Sequence, residues 1–252
     1  ANAGRLLAED FKPYRDELVI TTKAGFDMWP GPYGDYGSRK YLMASIDQSL
    51  KRLGLDYVDI FYHHRMDTET MGALADIVRS GKALYAGVSN YNEEYTRKAS
   101  EILKSLHCPF IVNQRRYSIF DREIEHDGVK YFCKENGIGI IAFSPLAQGL
   151  LTDKYMNGIP EDSRIKRDGR FLKPEAISEA YISKVKALNR IAADRGQTLA
   201  QMALSWILKD EDVCSVLVGA SSPKQIEEDA KIVGHTEFQA AELEQINEIV
   251  HN

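Results

Sequence analysis

Lys23, His64, Asn90 and Gln114 each stand where a run of β-favouring residues gives way to polar ones. A lysine and a histidine brought together can polarise a carbonyl and stabilise the charge that develops on its oxygen. Side-chain amides such as Asn90 and Gln114 donate and accept at once, which suits a carboxamide. Taken singly, a lysine at a strand end projects into water and a histidine is as readily hydrogen-bonded structure as catalyst. Parity is what joins them. Side chains alternate along a strand, so Val19, Thr21 and Lys23 share one face, Val58, Ile60, Tyr62 and His64 share another, and both polar tips can point into one mouth. His63, out of step with His64, then faces the helices.

These tips need strands to carry them. Val58 to Tyr62 is apolar enough for a parallel strand covered on both faces. Ser38 can cap the helix before it, in which Leu42, Ile46, Leu50 and Leu53 recur at helical spacing until Gly54 ends it. Leu18 to Thr22, Ala83 to Val88, Phe110 to Val112, Gly139 to Phe143 and Val213 to Val218 are the remaining strand candidates. Helical spacing separates them, with Asn92 and Thr198 as caps, and an amphipathic pattern from Arg5 to Phe11 reads as the middle of a helix begun earlier. The stretch from Leu146 to about Ser178 is irregular, an excursion of the kind that is functional or mobile. Strands alternating with helices imply parallel pairing through right-handed crossovers, in a barrel or a doubly wound sheet. Six βα units are present, whereas a barrel of this type closes with eight strands over about 250 residues.

Gly219-Ala-Ser-Ser-Pro-Lys-Gln joins a strand end to a helix start with a Ser cap, Pro in the first turn and Lys224 beside it. Free N–H groups at such a terminus attract anions, so this is a candidate phosphate site, with a plain capped helix as the alternative. Trp29 and Tyr33, in the loop from Gly25 to Gly37, and Tyr117 could give flat surfaces for a ring or an apolar wall for a substrate, or could be ordinary packing. The G-x-G-x-x-G fingerprint, a P-loop and zinc-type spacing are absent, so a dinucleotide would bind outside the usual Rossmann geometry.

Length and composition bound the rest. The chain has 252 residues, 44% hydrophobic and 27% charged, with a formal charge of −5 and no linker or low-complexity tract, which favours a single domain over 1–252. Interspersed charge weighs against nucleic acid or an anionic membrane as the main partner. Cys108, Cys133 and Cys214 lack metal or redox spacing, which suits buried thiols in a reducing, cytoplasmic compartment. No apolar run is long enough for a membrane span.

The sequence resembles the aldo-keto reductases, closely so a bacterial branch acting on L-glyceraldehyde 3-phosphate. The resemblance is carried by Thr-Lys-Ala-Gly-Phe-Asp-Met-Trp-Pro-Gly-Pro-Tyr-Gly from Thr22, Ser-Arg-Lys-Tyr-Leu from Ser38, Asp-Tyr-Val-Asp-Ile-Phe-Tyr-His-His-Arg from Asp56, Ser-Pro-Leu-Ala-Gln-Gly-Leu-Leu-Thr from Ser144 and Gly-Ala-Ser from Gly219. It implies an α/β fold of the (β/α)8 TIM barrel type, NADPH as cofactor, a small aldehyde (L-glyceraldehyde 3-phosphate or one like methylglyoxal) as substrate, and a homo-oligomer, tetramer or octamer. Lys23 and His64 match two members of the family's Asp, Tyr, Lys and His tetrad. Ser89, Asn90 and Gln114 match residues that hold the nicotinamide amide, and Tyr117 joins them in the cofactor set. Ser144, Pro145, Leu146, Ala147, Gln148, Lys154 and Arg164 match the segment covering the pyrophosphate. Gly219, Ser221, Gln225, Glu228 and Asp229 match the adenosine end, with Asp229 where relatives usually have Asn. Trp29 and Tyr33 would meet the substrate.

The tetrad's Tyr and Asp have no match, which is expected if the first two strands precede Ala1, and the connection after His64 is shorter than usual. Two other readings compete with a reductase. One is a nucleotide-sensing subunit, since the same fold resembles potassium-channel β subunits, which carry Asn where this chain has His64. The other is a phosphosugar lyase or isomerase, which would need no dinucleotide.

Overall fold

A computed structural model describes residues 2–31, 33–34, 37–156, 158–161, 166 and 177–251. Strands and helices alternate along the chain as the spacing predicts, and the described strand pairings are parallel, consistent with the (β/α)8 class. The chain divides into two compact units, Ala1–Arg115 with Ile124–Ile140, and Arg116–Glu123 with Ile141–Asn252.

The first unit holds β1 (Thr21–Ala24), α1 (Arg39–Leu53), β2 (Val58–His63), α2 (Met71–Arg79), β3 (Ala83–Ser89), α3 (Glu93–Ser105), nearly all of β4 (Phe110–Arg116) and α4 (Val129–Glu135). Register sorts the side chains into two rows. Lys23 lies beside Tyr62, Tyr62 beside Gly87 and Gly87 beside Val112, while Ala24, His63, Val88 and Asn113 form the row of opposite parity. Neighbours in a parallel ladder point the same way, so Lys23, Tyr62 and, two residues beyond Val112, Gln114 share one face. Gly87 matters to that face, because a Cβ there would come within 2.7 Å of the Tyr62 ring. The opposite face packs Leu42, Ile46, Phe61, Leu74, Ile77, Val88 and Leu103, all with no exposed surface. Each such side chain contributes roughly 1.5–3 kcal/mol.

Helix boundaries follow local chemistry. Ser38 Oγ accepts from the Tyr41 N–H at 3.2 Å, and Gly54 ends α1 in the left-handed region at φ 70°. Asn92 caps α3 by accepting from the Tyr95 N–H at 3.0 Å. Two expectations need correction. Arg5 to Phe11 is not one helix: a helical turn at Asn2–Arg5 passes into a wider turn at Leu6–Asp10 and then a tight one at Lys12–Glu17, where Pro13 lacks the N–H that an α-helix would use. The first strand begins at Thr21 rather than Leu18, and Val19 is exposed.

The second unit holds β6 (Ser215–Val216), α5 (Glu179–Asp194), α6 (Leu199–Ile207), α7 (Pro223–Ala230) and α8 (Ala240–His251), and the division between units runs through β5 (Gly139–Phe143). Ile141 and Ala142 of β5 pair with Ser215 and Val216. The last strand is thus shorter than Val213 to Val218, and Leu217 and Val218 are exposed, although the Leu217 N–H still donates to the Ala142 carbonyl at 2.8 Å. Residues Leu199 to Ile207 are all buried apart from Ala200, and Thr198 and Gln201 form a capping box ahead of them. Cys108 and Cys133 are buried, and burial pushes their thiols up to about 11 and about 12. Cys214 is exposed, contrary to the expected burial, since it lies just before the short β6. Among the described residues no helix is long and apolar enough to cross a membrane, and no cluster of His, Cys, Asp or Glu is placed to hold a metal.

Candidate active site

In the first unit the polar tips converge. Lys23 Nζ donates to Gln114 Oε1 across the sheet face, although the two are 91 residues apart in the chain. His64 leaves β2 with its N–H on the Ala24 carbonyl at 2.9 Å, and its ring meets Phe26 edge-on at 4.5 Å. The Arg65 guanidinium lies over the same Phe26 ring, 4.4 Å from its centre. The chain can pass this closely only because residue 25 is glycine: its φ is 148°, and a Cβ would come within 2.9 Å of His64 Cβ.

Electrostatics follow from this crowding. Burial lowers the Lys23 pKa. Burial first, and then the positive charge of Lys23 and the neighbouring His63 and Arg65, push His64 down to about 4. Its imidazole is therefore neutral at physiological pH, a hydrogen-bond donor rather than a cation.

Beside this pair lie the amides. Ser89 is the register partner of Gln114, and the Asn90 N–H donates to the Gln114 carbonyl at 2.9 Å. Asn90 holds a left-handed φ of 65°, rare for a non-glycine residue. That turn brings its Nδ2 to Ser89 Oγ at 3.2 Å. Gln114 Oε1 is taken by Lys23, so its amide nitrogen is left to donate, while Asn90 Oδ1 is left to accept.

His63 goes the other way, as parity requires. It is fully buried, with Nδ1 2.7 Å from the Tyr91 hydroxyl and Nε2 3.4 Å from Thr70 Oγ1. Burial lowers its pKa and nearby Asp67 works against that. Tyr91, Asp67 and Thr70 were not among the predicted site residues; only the place of Tyr91 directly after Ser89-Asn90 marked it. Trp29 packs at 5.4 Å against Tyr41, and Tyr33 is exposed beneath the Lys40 ammonium.

In the second unit a cleft of about 1810 Å³ gathers most of the remaining candidates. Ser144, Pro145, Leu146, Gln148, Lys154, Gly219, Ser221, Gln225, Glu228 and Asp229 all line it. Lys224, Asn189 and Thr198 line it too, the last two unforeseen because nothing near them in sequence marks a site. On one side Ser144, Ala147 and Gln148 have φ of 55°, 46° and 62°. The Ala147 and Gly149 N–H groups close this turn on the Ser144 and Leu146 carbonyls at 2.9 and 2.8 Å. On another side Ser222 caps α7, accepting from the Gln225 N–H at 3.4 Å, with Pro223 first in the helix. Gln225 Oε1 in turn accepts from the Ser221 N–H at 2.6 Å. Burial raises the Asp229 pKa. Tyr117 does not offer an open ring: it is fully buried against Trp206 at 5.2 Å, its hydroxyl 3.2 Å from Lys209 Nζ. Arg164 lies outside the described residues.

The sequence profile of the aldo/keto reductase family matches residues 1–251. L-glyceraldehyde 3-phosphate reductase of Escherichia coli O157:H7 is 55% identical over 255 residues, covering 98% of this chain and 74% of that protein. The protein of the same name from strain K12 is 54% identical over the same shares. A protein of Arabidopsis thaliana named "Probable voltage-gated potassium channel subunit beta" is 36% identical over 228 residues, 87% of this chain and 69% of its own length.

Proposed function

Because the chain belongs to the aldo/keto reductase family, an oxidoreductase family that uses NAD(P)H, we propose that it reduces small phosphorylated aldehydes of the glyceraldehyde 3-phosphate type to alcohols, with NADPH as the cofactor. The observation that carries this reading is the meeting of Lys23, His64 and Gln114 on one face of the first unit's sheet. The 55% identity to proteins named L-glyceraldehyde 3-phosphate reductase, against 36% to the channel-subunit relative, supports the choice of substrate.

Each unit, taken by itself, holds residues that fit a part of the cofactor. A primary carboxamide needs one donor and one acceptor, and Gln114 and Asn90 offer that pair beside Ser89. The second unit's cleft, taken by itself, offers the N-terminus of α7, Lys154 and Lys224 for phosphates. When bound, the reduced nicotinamide supplies the hydride that the carbonyl carbon takes up. The oxygen must also gain a proton to become the alcohol's hydroxyl, a part that the family resemblance gives to the tetrad tyrosine, unmatched in residues 1–252; the part of Lys23 and His64 is to prepare and stabilise that oxygen. Neutral His64 donates a hydrogen bond that orients and polarises the carbonyl, and the Lys23 ammonium, held by Gln114, stabilises negative charge as it builds. Both are partly shielded from water, where such interactions are stronger.

The test is to follow NADPH consumption by the protein, expressed from its whole gene, with L-glyceraldehyde 3-phosphate and with methylglyoxal. Turnover that falls at least 100-fold in Lys23→Met is the expected result. NADPH binding without turnover of any aldehyde would favour the nucleotide-sensing reading, and absence of NADPH binding would overturn both.

A further inference from the structure

The buried polar cluster behind His64 has no part in the chemistry above. The Tyr91 hydroxyl donates to the Asp67 carbonyl at 2.5 Å and accepts from the Asp67 N–H at 3.1 Å, while His63 Nδ1 lies 2.7 Å away. Both rings have no exposed surface. A phenol has one proton; with that proton on the Asp67 carbonyl, His63 must carry its own on Nδ1 and donate it. One hydroxyl thus ties residue 63 to residue 67, and His64 is in the span it closes.

The cluster is braced further. Thr70 Oγ1 donates to Asp67 Oδ2 at 3.0 Å. Gly37 is a glycine for the cluster's sake, because a Cβ there would lie 2.7 Å from both Asp67 Oδ2 and His63 Nε2. The Tyr91 carbonyl accepts from Asn113 Nδ2 at 2.9 Å and from Arg115, which is itself paired with Asp127 at 2.8 Å. Tyr91 also directly follows Ser89 and Asn90, so the end of β3 that places Asn90 places the brace.

We propose that Tyr91 and His63 are positioning residues for His64, a buried clamp that sets the turn from which the His64 imidazole reaches the carbonyl. The clamp rests on the reading of His64 as the group that acts at the carbonyl. Holding a catalytic group in register is worth a great deal, since a misplacement of about 1 Å can cost about 100-fold in rate.

Three variants test the clamp. Tyr91→Phe keeps the ring and removes the hydroxyl, His63→Leu removes the donor, and His63→Asn keeps an amide N–H close to where Nδ1 stands. Tyr91→Phe and His63→Leu are expected to lower kcat by about 10- to 100-fold with KM and NADPH affinity unchanged, and His63→Asn to restore most of the loss. The second readout needs no turnover. Crowded among Lys23, His63, Arg65 and Phe26, His64 is pushed down to about 4, so by NMR its ring is expected to titrate well below the ordinary value near 6.5 in the native protein and to move back towards that value in Tyr91→Phe as water reaches the loosened turn. Native kcat with an unmoved titration in Tyr91→Phe, or equal losses in His63→Asn and His63→Leu, would overturn the clamp. If Tyr91→Phe does not fold, the two His63 variants decide alone. If the native protein turns over no aldehyde while the titration still moves, the hydroxyl still holds the turn that carries His64, but the reductase reading fails and with it the role of His64 at a carbonyl.

Discussion

At the scale of single residues, two adjacent histidines of one chemical type do different work because a strand alternates. His64 is partly open and meets Lys23, whereas His63 is buried against Tyr91. In the proposed reaction His64 acts at the carbonyl oxygen, so His64→Ala should slow turnover by about 100- to 10,000-fold. His63→Ala should cost about 10- to 100-fold, through position alone; equal losses in steady-state kinetics would mean that the faces are misassigned. The depressed His64 pKa has a second consequence. Between its ordinary value near 6.5 and about 4 the unfolded chain binds a proton that the folded chain refuses, so stability rises with pH across that window and falls as acid is added through it. Melting followed at several pH values should show the decline, and His64→Ala should flatten it; an unchanged slope in the variant would place the acid sensitivity elsewhere.

At the scale of elements, helix ends were legible from sequence because capping is local. Ser38 and Thr198 accept the N–H that their place ahead of an apolar-periodic run predicts, as Asn92 does ahead of Glu93 and Glu94 and Ser222 ahead of Pro223. Thr198→Ala should destabilise the protein by about 1 kcal/mol in urea titration; a loss below about 0.3 kcal/mol would show that burial of α6 holds the helix without its cap. Strand parity was legible too, since a period of two needs no knowledge of neighbours. Register was not. The bond from Lys23 to Gln114 spans 91 residues, and the clamp around Asp67 depends on where β3 lies beside β2, which no local pattern specifies. Gly25, Gly37 and Gly87 read as ordinary glycines, and only packing reveals what their missing Cβ atoms admit. Gly25→Ala and Gly81→Ala both put alanine at a positive φ, 148° and 76°, but only at residue 25 does the added carbon meet the His64 Cβ, so Gly25→Ala should cost more turnover. Steady-state kinetics on the pair, compared at matched stability, would contradict this if the two variants behaved alike. Where sequence reasoning failed, apolar spacing was present, but Pro13 interrupts the helix expected at Arg5–Phe11, and at the ends of the first and last strands Val19, Leu217 and Val218 are exposed rather than covered.

At the scale of the whole molecule the formal charge is −5, so an anionic cofactor is drawn in by local charge and not by the protein's overall field. The second unit's cleft is mixed in sign. Lys154 and Lys224 line it, but so do Asp153, Glu228 and Asp229. NADPH differs from NADH by one phosphate, and its advantage therefore depends on whether the lysines outweigh the carboxylates where that phosphate rests. If the additional phosphate rests there, as the proposed cofactor requires, Lys224 and Ser221 would give it charge-assisted hydrogen bonds, while Asp229, which lines the same cleft, would oppose it. Neutralising that one carboxylate removes a repulsion on the order of 1 kcal/mol. Asp229→Asn should then tighten NADPH binding about three- to tenfold and leave NADH nearly unchanged, and Lys224→Met should do the reverse to NADPH. Fluorescence-quenching titrations of both cofactors at low and high salt read this directly, because screening should erode the NADPH preference and shrink the effect of both substitutions. Tighter NADH than NADPH binding by the native protein would overturn the proposed cofactor, and an Asp229→Asn variant that gained equally for both would show that the carboxylate acts on the shared part of the dinucleotide.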